Sequence, residues 1–162
     1  VLESMDSARK RKVIPKAEVV GYGNSLECTS MLNASHRGFS AAMSMALQDA
    51  KILPSNINYI NAHGTATISN DNNESIAIKN VFSHSAKNIP VNSTKSIVGH
   101  SFAASGAIEG CVCVKSLQEQ KVHLTRNFIE GDEVCNLDYV AHQSRKCKID
   151  CCIHKWNIPK RR

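Results

Sequence analysis

The feature that most constrains the fold is a short apolar segment followed by a loop with a glycine and a histidine, which the chain carries in two similar forms. One is residues 59–65, Tyr-Ile-Asn-Ala-His-Gly-Thr, and the other is residues 91–100, Val-Asn-Ser-Thr-Lys-Ser-Ile-Val-Gly-His. Each is typical of a strand that ends in a loop and leads into a helix. Ligands of open α/β sheets bind at the carboxyl ends of the strands. The pattern therefore predicts a site at one sheet edge that contains His63, Lys95 and His100.

Strand-like and helix-like segments alternate along most of the chain, which predicts an α/β domain. The predicted strands are residues 17–23, 58–61, 89–92, 134–140 and 148–153. Four helices are predicted. The first ends within residues 1–12, the second covers residues 39–50, the third runs to residue 82, and the fourth covers residues 101–120. We expect Asn70 and Asp71 to cap the third of these, with Glu74 at capping-box spacing from Asp71. The last helix is rich in small residues, which predicts a central helix with close neighbours on several sides.

The length and composition fit one domain with a core of its own, since 42% of the 162 residues are hydrophobic. The net charge is +6, and much of it lies in residues 9–12 and 160–162. We interpret these runs as solvated surface, although such surface also suits nucleic acid, anionic lipid or an acidic protein. An aromatic content of 5% argues against a base-stacking platform. The chain has no apolar stretch of about 18 residues, so no membrane span is predicted.

The seven cysteines are an odd number, and no two of them form a Cys-x-x-Cys pair. They are Cys28, Cys111, Cys113, Cys135, Cys147, Cys151 and Cys152. We expect reduced, mostly buried thiols in a reducing compartment and no metal site. The chain begins with valine in mid-pattern, and we expect it to be part of a longer protein.

The two histidines lie between a predicted strand and a predicted helix, where the helix macrodipole disfavours an imidazolium. A neutral imidazole donates one hydrogen bond from a fixed nitrogen, so His63 and His100 together can polarise a carbonyl oxygen or stabilise an enolate. Lys95 and Glu109 can form a buried ion pair that fixes the local geometry. From the residues alone, however, each of these side chains could equally be a satisfied core or surface group. This reasoning identifies no substrate.

A set of motifs follows in a fixed order along the chain. They are residues 61–67 (Asn-Ala-His-Gly-Thr-Ala-Thr), Asn70-Asp71 with Glu74, residues 92–96 (Asn-Ser-Thr-Lys-Ser), and Gly99-His100 with residues 103–109 (Ala-Ala-Ser-Gly-Ala-Ile-Glu). Together they resemble the C-terminal half of the β-ketoacyl-[acyl carrier protein] synthases, the condensing enzymes of fatty-acid and polyketide synthesis. The resemblance implies an α/β, thiolase-like fold: a C-terminal βαβαβ half with a mixed sheet and a central small-residue helix, truncated at the end. We expect this domain over residues 1–153 and a divergent basic tail over residues 154–162.

The resemblance implies a decarboxylative condensation of malonyl-carrier protein with an acyl thioester. It implies no cofactor bound by this chain, since phosphopantetheine comes with the carrier-protein substrate. The implied partners are an acidic acyl carrier protein, which the basic surface would suit, and a second copy in a homodimer. No nucleic acid and no membrane span are implied. The implied location is the cytoplasm, or an organelle matrix if a transit peptide precedes the chain.

The resemblance also assigns roles to individual residues. The implied catalytic residues are His63, His100 and Lys95, the supporting residues are Glu109 and Glu74, the residues that bind the pantetheine arm are Thr65 and Thr67, and none binds a metal. His63 and His100 would bind the malonyl thioester carbonyl, promote loss of carbon dioxide and stabilise the resulting enolate.

The chain departs from the family pattern at two places. The family's nucleophilic cysteine lies at a strand-to-helix elbow among small residues, and none of the seven cysteines has that context. The family's Gly-Phe-Gly-Gly-type loop and last strand are replaced by residues 154–162, so we expect the sheet to lose an edge. We therefore predict that this chain alone has no condensing activity. A non-catalytic partner subunit or pseudo-enzyme is the alternative, which the retained histidines and lysine disfavour.

Overall fold

A computed structural model describes residues 1–26 and 35–154, together with the backbone of residues 157–161. The helices are α1 (Met5–Lys10), α2 (His36–Ala50), α3 (Ile68–Phe82), α4 (Lys95–Val98) and α5 (Ser105–Glu119), with 3-10 turns at Pro54–Asn56, Ser83–Asn88 and Phe102–Ala104. The strands are β1 (Ala17–Tyr22), β2 (Tyr59–Asn61), β3 (Val91–Asn92), β4 (Lys121–Val122), β5 (Arg145–Lys146), β6 (Cys152–His154) and β7 (Asn157–Arg161).

Five of these strands form one mixed sheet in the order β1-β7-β6-β2-β3. Strand β2 pairs parallel with both β3 and β6, whereas β7 pairs antiparallel with β6 and with β1. Strands β1, β6, β2 and β3 therefore run in one direction, and their carboxyl ends share one edge of the sheet. The predicted α/β architecture with a mixed sheet is confirmed.

The core lies on both faces of this sheet because successive strand residues point to opposite sides. Ile60 packs in a cluster with residues of α2 and α3, including Met43 and Ile78. Its neighbour Tyr59 packs in a second cluster with Leu117 of α5. Helix α3, which follows the His63 loop, and helix α5, which follows the His100 loop, thus cover opposite faces of the sheet.

The last predicted helix and one predicted strand differ from the structure. The chain from Ser101 first forms the 3-10 turn and enters α5 only at Ser105. Residues 134–140 form no strand, although we predicted one there. Asp132 accepts backbone N–H bonds from Val134 and Cys135, and this local turn competes with strand pairing.

The end of the chain contributes a strand that sequence reasoning missed. The backbone of Asn157–Arg161 pairs along the length of β1, with an irregularity between Val19 and Gly21, and inserts β7 between β1 and β6. The expectation that the sheet loses an edge here is wrong, because backbone pairing does not require the family's loop sequence. The boundary of the domain at residue 153 stays a prediction.

Candidate active site

The two histidines predicted from the strand–loop pattern lie side by side at the carboxyl edge of the sheet. The centroids of the His63 and His100 rings are 5.9 Å apart, and the rings meet edge to face at 89°. His63 follows β2 by two residues, and His100 lies in the loop between α4 and α5. His63 is half-buried and His100 is exposed, so a ligand can reach the pair from outside.

The His63 loop is fixed by a buried carboxylate. The backbone N–H groups of His63 and Gly64 donate to the two carboxylate oxygens of Glu74, at 2.6 and 2.9 Å. Gly64 has φ +43°, and a Cβ there would lie 2.6 Å from the Cβ and Oγ of Ser93. The hydroxyl of Ser93 donates to the Gly64 carbonyl at 2.7 Å. Only glycine fits this approach of the His63 loop to the end of β3.

Glu74 does not act as the helix cap that its spacing predicts. Helix α3 begins at Ile68 after Thr67, and Asp71 already lies inside its first turn. The Glu74 carboxylate points back to the His63 loop, so the predicted capping box is wrong. Burial raises the pKa of Glu74, the N–H bonds from Gly64 and His63 oppose the rise, and the charge of Asp71 adds to it.

The His100 ring is oriented from its Nδ1 side. The backbone N–H of Phe102 donates to His100 Nδ1 at 3.0 Å, and the Ser105 hydroxyl lies 3.3 Å from the same atom. A backbone N–H can only donate, so Nδ1 is the acceptor and the proton of a neutral ring sits on Nε2. The Phe102 ring packs against the imidazole at 5.1 Å while 81% of its own surface stays exposed. The Nε2–H group is left to donate to a ligand.

Lys95 and Glu109 form the buried ion pair that the sequence predicts. Lys95 is 7% exposed and Glu109 is 1% exposed, and Lys95 Nζ donates to Glu109 Oε1. Lys95 begins α4 and Glu109 lies in α5, so the pair brackets the His100 loop. The mutual attraction of the two charges offsets the desolvation that each would otherwise suffer alone.

A buried polar network beneath the loops was not predicted. Asn61 Nδ2 donates to Thr94 Oγ1 at 2.6 Å and to Asn92 Oδ1 at 3.1 Å, and Tyr59 also donates to Asn92. Thr94 Oγ1 lies 3.1 Å from Nε2 of His123, whose pKa burial lowers. The network ties the end of β2 to the end of β3. Its local signal in the sequence is the set of polar residues at the ends of the two apolar strands, Asn61 after Ile60 and Asn92 after Val91.

Thr65 and Thr67 lie on the outer side of the His63 loop. Their hydroxyl oxygens are 3.1 Å apart, Thr65 is half-buried, and Thr67 is exposed. Their assignment to the pantetheine arm stays a prediction.

The cysteines differ in exposure more than we expected. Among the described residues, Cys113, Cys151 and Cys152 are buried, Cys135 and Cys147 are half-buried, and Cys111 is exposed; these six form no disulfide with one another. Cys28 lies outside the described residues. The described part of the chain brings no three His, Cys, Asp or Glu side chains together as a metal site.

The described backbone of the second basic run lies at the other edge of the sheet, beside the end of β1 that the first run precedes. Residues 9–12 precede β1, and the register places Lys160 opposite Glu18 and Arg161 opposite Ala17, at the amino end of that strand. Because β1 runs in the direction of β2, this end is opposite the edge that carries the histidines. None of the described helices is both long and apolar enough to cross a membrane.

Comparisons with known proteins identify the family of this chain. The family model for the β-ketoacyl synthase C-terminal domain matches residues 16–129. The chain is 38% identical over 152 residues to 3-oxoacyl-[acyl-carrier-protein] synthase 2 of Coxiella burnetii, which covers 93% of this chain and 37% of that protein. It is 40% identical over 146 residues to nodulation protein E of Rhizobium leguminosarum bv. trifolii, which covers 90% of this chain and 36% of that protein.

Solved structures are similar over nearly the whole chain. A β-ketoacyl synthase from Burkholderia phymatum aligns with a TM-score of 0.92 at 30% identity, covering 99% of this chain and 41% of that one. A type II polyketide ketosynthase, solved in complex with its acyl carrier protein and bound to the hexaketide, aligns with a TM-score of 0.91 at 37% identity, covering 98% and 41%. The chain thus spans well under half the length of these proteins. With the family model matched over residues 16–129, the chain belongs to the β-ketoacyl synthase family and carries its C-terminal domain.

Proposed function

We propose that this chain supplies the malonyl-binding half of a β-ketoacyl-[acyl carrier protein] synthase. The observation that carries the proposal is the histidine pair, with ring centroids 5.9 Å apart and with His100 Nδ1 already occupied by donors. Such a pair would present N–H groups to one oxygen atom, which is what a developing oxyanion requires. The intact protein would join a malonyl thioester to an acyl thioester in fatty-acid or polyketide synthesis.

The chemistry assigned to the pair is decarboxylation with capture of the enolate. Heterolysis of the bond to the malonyl carboxylate releases carbon dioxide and leaves its electron pair on the α-carbon as an enolate. His63 and His100 donate to the thioester oxygen, where the negative charge accumulates. The enolate carbon then attacks the acyl thioester, a carbon–carbon bond forms, and the thiolate that held the acyl group leaves.

The remaining predicted site residues hold or extend this arrangement. Lys95 and Glu109 bracket the His100 loop as a buried ion pair, and Glu74 holds the backbone of the His63 loop. We assign Thr65 and Thr67 to hydrogen bonds with the pantetheine arm, because their hydroxyls lie on the solvent side of His63.

The thiol that carries the acyl group is assigned to a part of the protein outside these residues. Cys113, Cys151 and Cys152 are buried among the core clusters, and the exposed Cys111 lies within α5 rather than at a strand-to-helix elbow. The intact enzyme would act as a homodimer. The isolated chain is expected to bind the malonyl group without forming a carbon–carbon bond.

The carrier protein is the proposed partner, and its arm would enter at the carboxyl edge of the sheet. The described backbone of the second basic run lies at the opposite edge, which argues against the docking role that its charge suggested. A non-catalytic partner subunit is the competing function. The buried Lys95–Glu109 pair argues against it, because a chain without a reaction to support gains nothing from two charges buried behind a histidine loop.

The test is a titration of the chain, labelled in its histidines, with the malonyl thioester of pantetheine. We expect the imidazole resonances of His63 and His100 to shift, and that of His84 to stay, because His84 is exposed after the far end of α3. Unmoved resonances of the pair, or an equal shift at His84, would contradict the proposal. A condensation product formed by the chain with an acyl thioester would contradict the assignment of the acyl thiol to another segment.

A further inference from the structure

His154, the last residue of β6, has no role in the proposed reaction so far, yet it is only 4% exposed and lies against α5. Its Nε2 is 2.9 Å from the carbonyl oxygen of Gly106. A carbonyl oxygen only accepts, so Nε2 carries a proton and donates. Its Nδ1 lies 3.8 Å from Glu109 Oε2, which is beyond hydrogen-bond distance. The bond to Gly106 is a directional contact between the ring and the helix.

The position of His154 connects the two histidine loops. In the sheet it stands directly opposite Asn61, two residues before His63. Its partner Gly106 follows Ser105, whose hydroxyl lies 3.3 Å from His100 Nδ1 and accepts the backbone N–H of Ser101 at 3.1 Å. One side chain on the strand beside β2 thus holds the helical turn that orients His100.

We propose that His154 is a positioning residue that sets the distance between His63 and His100. Its catalytic meaning rests on the function proposed above. Residues 102–104, just before α5, are all exposed, and the Lys95–Glu109 pair holds the start of α5 to α4 rather than to the sheet. Without the bond from Nε2, the first turn of α5 can move relative to β2, and the His100 ring moves with it. Small displacements of this kind reduce the binding and chemistry of positioned groups strongly.

Packing must be separated from hydrogen bonding, because the ring also lies against α5 at Gly110. A Cβ placed there would be 3.8 Å from His154 Cδ2. H154L fills the space but cannot donate. H154Q can place an amide N–H where Nε2 stands, whereas H154N is too short to reach the Gly106 carbonyl. H84Q makes the same change at an exposed histidine and serves as the control.

The experiment uses the full chain and two measurements. Without ligand, the nuclear Overhauser cross-peak between ring protons of His63 and His100 reports that the two rings are in contact. With the malonyl thioester of pantetheine, the titration gives an affinity. We expect H154L and H154N to lose the cross-peak and to bind about tenfold more weakly. H154Q and H84Q should keep both the cross-peak and the affinity.

The outcomes separate this inference from the proposed function. Retention of the cross-peak in H154L or H154N, or its loss in H154Q, would overturn the role of His154, and neither reading requires a ligand. Failure of the unaltered chain to bind the malonyl thioester would instead overturn the proposed function. If H154L fails to fold, the contrast between H154Q and H154N still decides the matter, since both carry the same amide.

Discussion

Each histidine loop is backed by one buried glutamate, and the two glutamates are satisfied in different ways. Glu74 accepts the backbone N–H groups of the His63 loop itself and faces no cation there. Glu109 accepts a hydrogen bond from the ammonium group of Lys95, so two formal charges lie behind the His100 loop. The first glutamate holds the main chain directly, whereas the second fixes the two helices on either side of a loop.

This difference decides how each loop responds to change. Loss of the Glu74 carboxylate leaves uncharged backbone N–H groups without an acceptor. Each buried N–H group without a hydrogen bond lowers stability by about 1–3 kcal/mol. Loss of either member of the Lys95–Glu109 pair leaves a buried charge without its partner, which costs about 3–5 kcal/mol. The His100 loop is therefore the more vulnerable to a single substitution, although its own residues are the more exposed.

The largest effect is expected from breaking the ion pair. K95M and E109Q should each lower the free energy of unfolding of the chain by about 3–5 kcal/mol, because each leaves one buried charge uncompensated. Unfolding in urea, followed at a pH near neutrality, measures the change.

Two controls define what this result means. The double variant K95M/E109L removes both charges and should recover most of the loss, since apolar pairs replace buried ion pairs at little cost. E119Q breaks the exposed pair of Lys115 and Glu119 and should change stability far less, because water screens that pair. If K95M behaves like E119Q, the two loops do not differ as we argue.

A smaller loss is expected when the His63 loop is changed at its closest contact. G64A forces an alanine into a backbone with φ +43° and places its Cβ 2.6 Å from Ser93. The left-handed backbone and the crowding together should cost about 2–4 kcal/mol. G106A is the matched control, because it is helical with open space around it and should stabilise the chain by about 0.5–1 kcal/mol. A benign G64A would show that the His63 loop is not held by its fit against Ser93.

Local sequence signals predicted the parts of the site that depend on neighbouring residues. The strand–loop–helix pattern predicts where His63 and His100 lie, and an isolated charge in the apolar stretch of α5 points to the partner of Lys95. These inferences succeed because the relevant geometry is set within one strand, one loop and one helix.

Three errors involve contacts with a segment outside the element being predicted, whereas the missing strand at residues 134–140 reflects a local turn at Asp132. Glu74 was assigned to a cap at its own helix start, but its partners lie 10 and 11 residues back in the preceding loop. His154 was assigned to a divergent tail, but it bonds Gly106, 48 residues earlier, through the packing of β6 on α5. No periodicity within β6 carries information about that contact. The same limitation hid β7, whose partners lie at the start of the chain.

The smallest effect tests whether the surroundings of Glu74 raise or lower its pKa. Burial raises the pKa of Glu74, so between the unfolded value of about 4.3 and the raised value the folded chain binds more protons than the unfolded chain. Stability then falls as pH rises through this window. E74Q has no proton to exchange at this position, so the difference in stability between the two proteins reports the protonation of Glu74. The stability of the unaltered chain minus that of E74Q should therefore be largest at the acidic end of the window and should decrease toward neutral pH.

D71N refines this measurement, because the charge of Asp71 is one of the causes of the raised pKa. Removal of that charge should move the decrease to lower pH without reversing it. A difference that grows with pH would mean that the N–H bonds from His63 and Gly64 outweigh burial. The carboxylate would then favour its charged form, as a cation-paired glutamate does, and the distinction drawn between the two histidine loops would rest on the Lys95 charge alone.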